Sequence, residues 1–282
     1  MTLDLVVGNL GFGARQAEAI ALAHRHGFES VGAQGDELER MAAEPLHALL
    51  GDLRTNGLRW GAAGVPVEFR RDDATFAKGL ERLPKFAAGL QRAGVQRAST
   101  WIMPCHDTLT YLQNFKLHAT RLRQVAQVLR DHGVRLGLEY VATQTLRTAK
   151  RLPFIHTMIE MRELIAEIAT GNVGLALDSW HWWQAGDTEA DLLALTNEEV
   201  VSVDLNDAPR GIPFNQQQDG HRELPAATGV IDLATFLNAL NRIGYDGPIR
   251  AEPFSQALKS LGRDQACAVT AEAMRKAFAL IR

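Results

Sequence analysis

The sequence predicts an α/β fold, the eight-stranded (β/α)8 or TIM barrel, and three observations lead to it. Amphipathic segments alternate with short apolar runs along the chain, a glycine recurs where one gives way to the other, and acidic residues stand at the ends of the last four runs. The length of 282 residues suits one such barrel, because barrels of this class commonly need about 250 residues. We therefore expect a single domain over residues 1–282.

The recurring unit is a helix-like segment, a glycine, one apolar residue and a β-rich run. The glycines concerned are Gly27, Gly57, Gly94, Gly133, Gly171 and Gly244. Glycine suits this place because helices often end on a residue in the left-handed conformation, which glycine adopts without strain. The repeat of about 37 residues is compatible with eight βα units that carry insertions.

The apolar runs are the predicted strands. They lie near 3–8, 29–34, 58–64, 97–103, 134–140, 173–178, 200–205 and 248–252. Between Asn114 and Gly133, apolar residues recur at helical spacing with polar residues between them, which predicts a helix. A doubly wound open sheet also alternates strands and helices. However, the segment after the first run lacks the glycine spacing of a dinucleotide-binding loop, which favours the closed barrel.

Composition excludes several classes of function. A net charge of −3 with scattered basic residues does not suit a nucleic-acid binder. No apolar run approaches the roughly 20 residues that a membrane-spanning helix needs, and the first residues do not resemble a signal peptide. Only two cysteines are present, Cys105 and Cys267. We expect a cytoplasmic protein, because a reducing compartment suits a chain without a disulfide framework.

Four acids, one at the end of each of the last four strands, are the main functional signal. They are Glu139, Asp178, Asp204 and Glu252. Active sites of such barrels lie where the strands end, and burying four carboxylates together is prohibitive without a cation. A divalent metal resolves that conflict. Any single acid could instead cap a helix or pair with an arginine. Asp204 is the weakest candidate for a metal ligand among the four, since Asp207 could replace it or Arg210 could pair with it.

These strand ends resemble the xylose isomerase-like superfamily of sugar isomerases, epimerases and related lyases. The matching segments are Leu138-Glu139, residues 178–181 (Asp-Ser-Trp-His), 203–207 (Val-Asp-Leu-Asn-Asp), 222–232 and 244–253. The resemblance covers essentially the whole chain and extends to the ketose 3-epimerase and inosose dehydratase branches.

The resemblance implies a metal held by Glu139, Asp178 and Glu252, with Asp204 where the ketose 3-epimerases have a histidine. A cage built only of oxygen ligands favours Mn²⁺ or Mg²⁺ over Zn²⁺. It further implies that Glu139 and Glu252 exchange protons with a carbon next to a carbonyl, while the metal stabilises the enediolate.

Other residues are candidates for substrate contact. By the same resemblance, His181 and Arg210 contact the substrate. Trp180 could stack on a sugar ring or fill the core. Asn206, with Asp207, His221 and Arg222, lies in the loops after the seventh strand and could reach hydroxyl groups. Cys105 could be a nucleophile, but no oxyanion-forming signature accompanies it, and we expect His106 to contact the substrate instead.

We therefore expect a sugar isomerase or epimerase with a sugar or polyol substrate, and a homodimer or homotetramer by resemblance. A lyase that dehydrates a keto-polyol or splits a keto-glycoside begins with the same proton abstraction and stays open as an alternative. A DNA-repair endonuclease would need a histidine-rich zinc cluster and a basic groove, which the sequence lacks. A binding protein without catalysis would usually lose some of the metal-binding acids.

Overall fold

The computed structural model describes residues 1–282, the side chain of Gln256 excepted. Eight parallel strands form a closed barrel. They are β1 (Thr2–Leu5), β2 (Ser30–Ala33), β3 (Arg59–Gly64), β4 (Arg97–Ile102), β5 (Arg135–Tyr140), β6 (Val173–Asp178), β7 (Val200–Leu205) and β8 (Pro248–Ala251). Each strand pairs with its neighbours in chain order, and β1 closes the barrel on β8 through Thr2 and Pro248. The predicted (β/α)8 barrel is confirmed.

The helices surround this barrel. They are α1 (Gln16–His26), α2 (Gly35–Arg40), α3 (Ala43–Thr55), α4 (Asp73–Ala93), α5 (Tyr111–Asp131), α6 (Gln144–Arg147), α7 (Met158–Ile168), α8 (Ser179–Ala185), α9 (Glu189–Leu193), α10 (Leu233–Arg242), α11 (Gln256–Lys259) and α12 (Arg263–Phe278). Three short 3-10 helices, at Val7–Leu10, Asn197–Glu199 and Phe214–Gln216, and a two-stranded antiparallel ribbon, Cys105–His106 with Leu152–Pro153, complete the fold.

Local sequence explains why these elements begin and end where they do. All six glycines of the repeat have positive φ angles, and Gly27 and Gly94 end α1 and α4 in the left-handed conformation. The predicted helix before Gly133 is α5, which begins at a capping box formed by Thr110 and Gln113. Its recurring apolar residues, from Leu122 to Leu129, are buried against the barrel. The strand–helix boundaries therefore follow the sequence pattern closely.

The strands are apolar because both of their faces are covered. In β7 every residue from Val200 to Leu205 is buried. Acidic side chains in such strands can meet solvent only at the mouth of the barrel, where the strands end. None of the helices that the structure describes combines the length and the apolar character needed to span a lipid bilayer.

Candidate active site at the mouth of the barrel

A cavity of about 420 Å³ opens at the mouth of the barrel, at the C-terminal ends of the strands. Glu139 and Glu252 line it from one side and Trp101 from another. Arg250 lies deeper, two residues before Glu252 on the same chain segment. The mouth therefore contains two of the predicted acids in a space large enough for a small molecule.

Glu139 and Glu252 are held in an environment that disfavours their charged forms. Glu139 lies on β5, and its Oε1 atom is buried without a hydrogen-bond partner. Burial, followed by the nearby charges of Glu252 and Asp178, raises the pKa of Glu139 well above its ordinary value. Burial and the charge of Asp204 raise the pKa of Glu252 to about 8. A pair of carboxyl groups with raised proton affinity can hold and exchange a proton near neutral pH.

Asp178 ends β6 and is fixed by three donors. Its Oδ1 accepts the backbone N–H of Trp180 at 2.8 Å and the side-chain amide of Asn206 at 3.0 Å. Its Oδ2 accepts Nη1 of Arg222 at 2.6 Å. The first of these bonds caps α8, so the strand-to-helix turn itself fixes the orientation of the carboxylate.

Arg222 is the cation at the centre of this cluster. Its Nη1 lies 2.6 Å from Asp178 and 3.1 Å from Oε2 of Glu252, and its Nη2 lies 2.7 Å from Oδ1 of Asp219. The guanidinium packs between the rings of Trp180 and Phe254. Phe254 adopts φ 44°, a strained conformation for a residue with a side chain. A single arginine therefore faces four carboxylates, Glu139 included, and the cluster keeps an excess of negative charge.

The two acids of the seventh strand have other partners. Asp204 is buried and accepts Nε and Nη2 of Arg250 at 2.6 and 2.9 Å, using both oxygens. Asp207 is also buried, and its two oxygens accept four backbone N–H groups, those of Ala208, Thr228, Gly229 and Ile231. Asp204 pairs with its register partner on the neighbouring strand and Asp207 with the backbone of its own loop, and neither belongs to the group of close ligand atoms formed by Glu139, Asp178 and His181. We therefore leave both out of the proposed metal site, and Arg250, rather than Arg210, pairs with Asp204.

His181 lies against the cluster, with a donor facing each of its ring nitrogens. Its Nδ1 accepts the backbone N–H of Ala142 at 3.2 Å, and Nη2 of Arg222 lies 3.2 Å from its Nε2. Burial lowers the pKa of His181, which favours the neutral ring. Nε2 lies 3.5 Å from Oδ1 of Asp219 and 3.8 Å from Oε1 of Glu139. Its position suits a hydrogen-bond donor to a bound ligand.

The other predicted substrate contacts lie at different places. Trp180 is fully buried, with its indole N–H on Thr143, and is part of the core. Asn206 is buried between Asp178 and the backbone N–H of Glu252, so it orients the acids. Arg210 is exposed and donates to the carbonyl of Thr228, away from the carboxylates. His106 lines a second cavity beside the barrel mouth.

Cys105 does not have the surroundings of a nucleophile. Its thiol is buried and donates to the carbonyl of Leu146, and burial raises its pKa. A reactive cysteine needs the opposite shift, toward the thiolate.

Sequence reasoning missed several residues that line the mouth. Trp101 is 42% exposed there although it lies on a central strand. Asn9 and Gln34 line the same cavity, and Nε2 of Gln34 is buried without a hydrogen-bond partner. The signal for these residues in the sequence is their position near the ends of β1, β2 and β4, three strands that end without an acid. Arg222 was considered only as a contact for hydroxyl groups.

The donor set fits a divalent cation. Ligand atoms of Glu139, Asp178 and His181 lie within 4.8 Å of one another, the one such group found among the described residues. Nη2 of Arg222 lies against Nε2 of His181, and Nη1 of Arg222 donates to both Asp178 and Glu252. The unpartnered Oε1 of Glu139 and the excess negative charge remain, and both are satisfied by a metal bound to oxygen ligands.

Comparison with known proteins agrees with this geometry. Residues 20–278 match the family model described as the xylose isomerase-like TIM barrel. The inosose isomerase of Bacillus subtilis is 25% identical over 145 residues, which cover 51% of this chain and 49% of that protein. The ketose 3-epimerase of Arthrobacter globiformis is 28% identical over 138 residues, 48% of this chain and 40% of that protein.

A third relative is the 3-dehydroshikimate dehydratase of Pseudomonas aeruginosa, 27% identical over 144 residues, which cover 51% of this chain and 22% of that protein. The chain thus spans about half the length, or less, of these curated relatives.

Solved structures extend the likeness to the whole barrel. A xylose isomerase domain protein from Alicyclobacillus acidocaldarius superposes with a TM-score of 0.84 at 29% identity, covering 99% of this chain and 97% of that one. The IOLI protein with a bound zinc atom gives a TM-score of 0.81 at 18% identity, covering 98% of both chains, and shows the shared fold. The family match covers most of the sequence and agrees with the closed barrel and its strand-end acids. The chain therefore belongs to the family of xylose isomerase-like TIM barrels.

Proposed function

We propose that this protein is a divalent-metal-dependent isomerase or epimerase of a small keto sugar or keto-polyol, acting by proton transfer at a carbon next to a carbonyl. The observation that carries the proposal is that Glu139 and Glu252 both line the cavity at the barrel mouth, where Oε1 of Glu139 has no hydrogen-bond partner. Proton transfer near neutral pH requires groups of this kind.

Glu139, Asp178 and Glu252 would hold the metal through oxygen atoms, which favours Mn²⁺ or Mg²⁺. When bound, the metal would supply Lewis-acid polarisation of the substrate carbonyl. Asp178 and Glu252 share Nη1 of Arg222 in this structure, so binding of both acids to a metal requires Arg222 to turn away from them. Asp219 is positioned to retain the other end of the guanidinium.

The proton steps use the two glutamates. One carboxylate takes the proton from the carbon next to the carbonyl, and the electron pair of that C–H bond moves into the new C=C bond as the carbonyl oxygen becomes negative. In an epimerase the other glutamate, protonated, returns a proton to the opposite face of the same carbon, and the carbonyl forms again. In an isomerase the proton goes to the former carbonyl carbon, while the hydroxyl proton of the first carbon passes to the former carbonyl oxygen and leaves the new carbonyl. His181 donates from Nε2 to a substrate oxygen, and Asn206 holds Asp178 and the start of the Glu252 segment in place. The mass of the substrate is conserved.

The likeness to a ketose 3-epimerase and to inosose isomerases supports this reaction class, and the IOLI protein, which shares this fold, was solved with a bound zinc atom. The likeness to a 3-dehydroshikimate dehydratase favours a second candidate, loss of water after the same proton abstraction. Both need the same two glutamates, and the product distinguishes them.

The first test is elemental analysis of the protein as purified, after chelation, and after reloading with Mn²⁺, Mg²⁺ or Zn²⁺. We expect close to one equivalent of metal per chain, lost in a Glu139→Gln/Glu252→Gln variant. A matched control, Glu163→Gln/Glu167→Gln on the exposed side of α7, should retain it. A chain that takes up no metal after reloading would contradict the proposal.

The second test incubates the loaded protein with keto sugars and keto-polyols in deuterated water. An isomerase or epimerase gives a product of unchanged formula that carries solvent deuterium. A dehydratase gives a product lighter by one water. Absence of any solvent exchange across the substrate panel would leave a binding protein as the better description.

A further inference from the structure

We propose that a second cavity, separated from the barrel mouth by Trp101, binds the anionic end of a polyhydroxylated substrate. The substrate class would then be a sugar acid or a sugar phosphate, whose shared feature is an oxyanion on a hydroxylated chain. The inference rests on the proposed function for the position of the reacting carbons, but the cavity and its charges are independent of it.

The cavity has a volume of about 350 Å³ and lies outside the rim of the barrel. Its walls come from the loop after β3, the segment after β4, the first turns of α5 and the loop that contains Lys150. All of these segments lie at the C-terminal face of the barrel, where the proposed active site also lies. The cavity is therefore within reach of a ligand that occupies the barrel mouth.

The charge of this lining is opposite to that of the barrel mouth. Arg70, Arg71 and Lys150 line the cavity, and Glu68 is the one carboxylate among its lining residues. Arg70 already has protein partners, because it donates to Glu68, to Oγ1 of Thr100 at 3.2 Å and to the carbonyl of Trp101 at 2.6 Å. Arg71 and Lys150 therefore provide the positive charge that is available to a ligand.

Arg71 and Lys150 form few and weak ion pairs with the rest of the protein. Lys150 is 3.4 Å from Asp107 in a pair whose side chains are both well exposed to solvent, and such pairs contribute little. The side chain of Arg71 makes no ion pair with any residue that the structure describes. Both are thus available to an oxyanion, which forms stronger hydrogen bonds with charged donors than a neutral group does.

Two residues of the cavity lining, His118 and Asn114, carry buried acceptors that lack donors. His118 is 3% exposed, and its Nδ1 donates to the carbonyl of Asn114 at 2.9 Å, which leaves Nε2 as an acceptor. That Nε2 has no partner, and neither does Oδ1 of Asn114. Burial lowers the pKa of His118 to about 4, so the ring is neutral. Buried acceptors need donors, and the hydroxyl groups of a polyol chain supply them where a bare oxyanion cannot.

A donor faces the same space from another wall. Nδ1 of His106 accepts the backbone N–H groups of Thr108 and Leu109, at 3.1 and 2.9 Å, so a neutral ring carries its proton on Nε2. The cavity thus presents acceptors, a donor and two available cations, a combination that suits a hydroxylated anion better than an apolar or cationic ligand.

Trp101 links this cavity to the catalytic glutamates. It lines both cavities, and it is the register partner of Glu139 on the neighbouring strand. Paired residues on adjacent parallel strands project to the same side about 5 Å apart. The guanidinium carbon of Arg70 lies 4.5 Å from the ring centroid of Trp101 and holds the ring in place. A substrate with its carbonyl at Glu139 would cross Trp101 to reach Arg71 and Lys150.

The test compares three probes that differ only at C1: D-glucitol, D-gluconate and D-glucitol 1-phosphate. Calorimetric titration of the metal-loaded protein should give dissociation constants at least about tenfold lower for an anionic probe than for D-glucitol, as expected for hydrogen bonds to charged groups. The anion that binds more tightly identifies the substrate as an acid or a phosphate ester. Equal binding of all three probes would overturn the proposal.

Variants assign the effect to this cavity. Arg71→Gln/Lys150→Gln should remove the preference for the anionic probes and leave D-glucitol binding unchanged. The control Arg54→Gln/Arg59→Gln removes two exposed cations at the opposite end of the barrel and should change nothing. His118→Phe should weaken all three probes by a similar factor. An anion preference that survives the loss of Arg71 and Lys150 would place the site elsewhere and reject the inference.

The failure of this inference is distinguishable from that of the proposed function. Glu139→Gln/Glu252→Gln should abolish metal uptake and solvent exchange while the anion preference persists. If solvent exchange occurs but no anion preference is found, the reaction stands and the substrate is neutral. If an anion preference is found without metal uptake, the cavity stands and the reaction does not.

Discussion

Two arginine-centred carboxylate clusters lie close together in this barrel, and they are built in different ways. Arg250 and Asp204 are register partners on adjacent strands, and Asp204 gives both oxygens to one guanidinium. Arg222 comes from the long loop between β7 and α10 and distributes its donors over Asp178, Asp219 and Glu252. Glu139, beside it, has an oxygen without a partner.

Arg250 is therefore a fixed counterion, whereas Arg222 is an exchangeable one. The sheet holds both Arg250 and Asp204, so the charge of this pair is balanced permanently. The Arg222 cluster has more acids than its one cation can balance, and its cation is held by a loop. A ligand or metal can therefore act at the second cluster without disturbing the barrel. Each prediction below tests this contrast.

The largest effect is expected at Glu252, which belongs to the Arg222 cluster and lines the cavity at the barrel mouth. Glu252→Gln keeps the shape of the side chain but removes its proton transfer, so the rate of solvent-deuterium exchange into the substrate should fall at least about 10³-fold. Mass spectrometry of the substrate after incubation in deuterated water measures this rate. Glu163→Gln, on the surface of α7, is the control and should exchange at the native rate. A Glu252→Gln variant of near-native rate would show that the mouth is not the reaction centre.

The next effect concerns the fixed cluster. Arg250→Met leaves the buried Asp204 carboxylate without its counterion, and the free energy of unfolding should fall by about 3–5 kcal/mol. Urea denaturation measures this change. The double variant Asp204→Leu/Arg250→Met removes both charges and should recover most of the loss. If Arg250→Met and the double variant were equally unstable, packing rather than charge pairing would explain the effect.

A third, pH-dependent effect concerns Asp4, which is buried in β1 near Arg250. Burial is the main cause that raises its pKa from 3.8 to about 6. An acid whose pKa is raised by folding stabilises the fold at low pH, and this contribution is lost as the pH rises from about 4 through about 6.

Asp4→Asn should therefore be more stable than the native protein at pH 8 by up to about 3 kcal/mol, because the native carboxyl must ionise in a site that raises its pKa from 3.8 to about 6. The gain should vanish toward pH 4. Urea denaturation at pH 4.5, 6 and 8 gives the profile. A stability difference between Asp4→Asn and the native protein that does not change with pH would mean that the charge of Asp4 is already balanced, as the charge of Asp204 is balanced by Arg250.

The smallest effect tests whether Arg222 is exchangeable. Arg222→Gln removes the cation that pairs with both Asp178 and Glu252, so these acids become free to bind Mn²⁺. The affinity for Mn²⁺, measured by calorimetric titration, should rise about tenfold, or about 1.4 kcal/mol. Arg210→Gln removes an exposed arginine of the same loop and should leave the affinity unchanged. Weaker Mn²⁺ binding in Arg222→Gln would make Arg222 a support of the metal site instead of its competitor.

Much of the barrel could be read from local sequence. The eight strands lie within three residues of their predicted bounds, because buried parallel strands are short apolar runs and because the glycines before them end the helices. The positions of Glu139, Asp178 and Glu252 at strand ends followed from the same reading. A residue at the end of a barrel strand lies near the mouth, so its position in the sequence brings it close to the ends of the other strands.

The partners of the acids required the tertiary structure. Asp204 and Asp207 are three residues apart in similar sequence surroundings, yet one binds an arginine of β8 and the other binds four backbone N–H groups of its own loop. Trp180 stands next to Asp178 but turns into the core, whereas Trp101, on a strand with no acid, is exposed at the mouth.

The sequence by itself determined the periodicity, the turns and the strand ends at which the polar side chains lie, since these depend on neighbours a few residues apart. Only the tertiary structure decided that Arg222 lies among Asp178, Asp219 and Glu252, that Arg250 balances Asp204, and that basic residues gather beside Trp101. These contacts join loops and strands distant in the chain. The pairing of a buried charge is set by which side chains reach the same desolvated space, and that depends on how the closed barrel brings the strand ends and loops together.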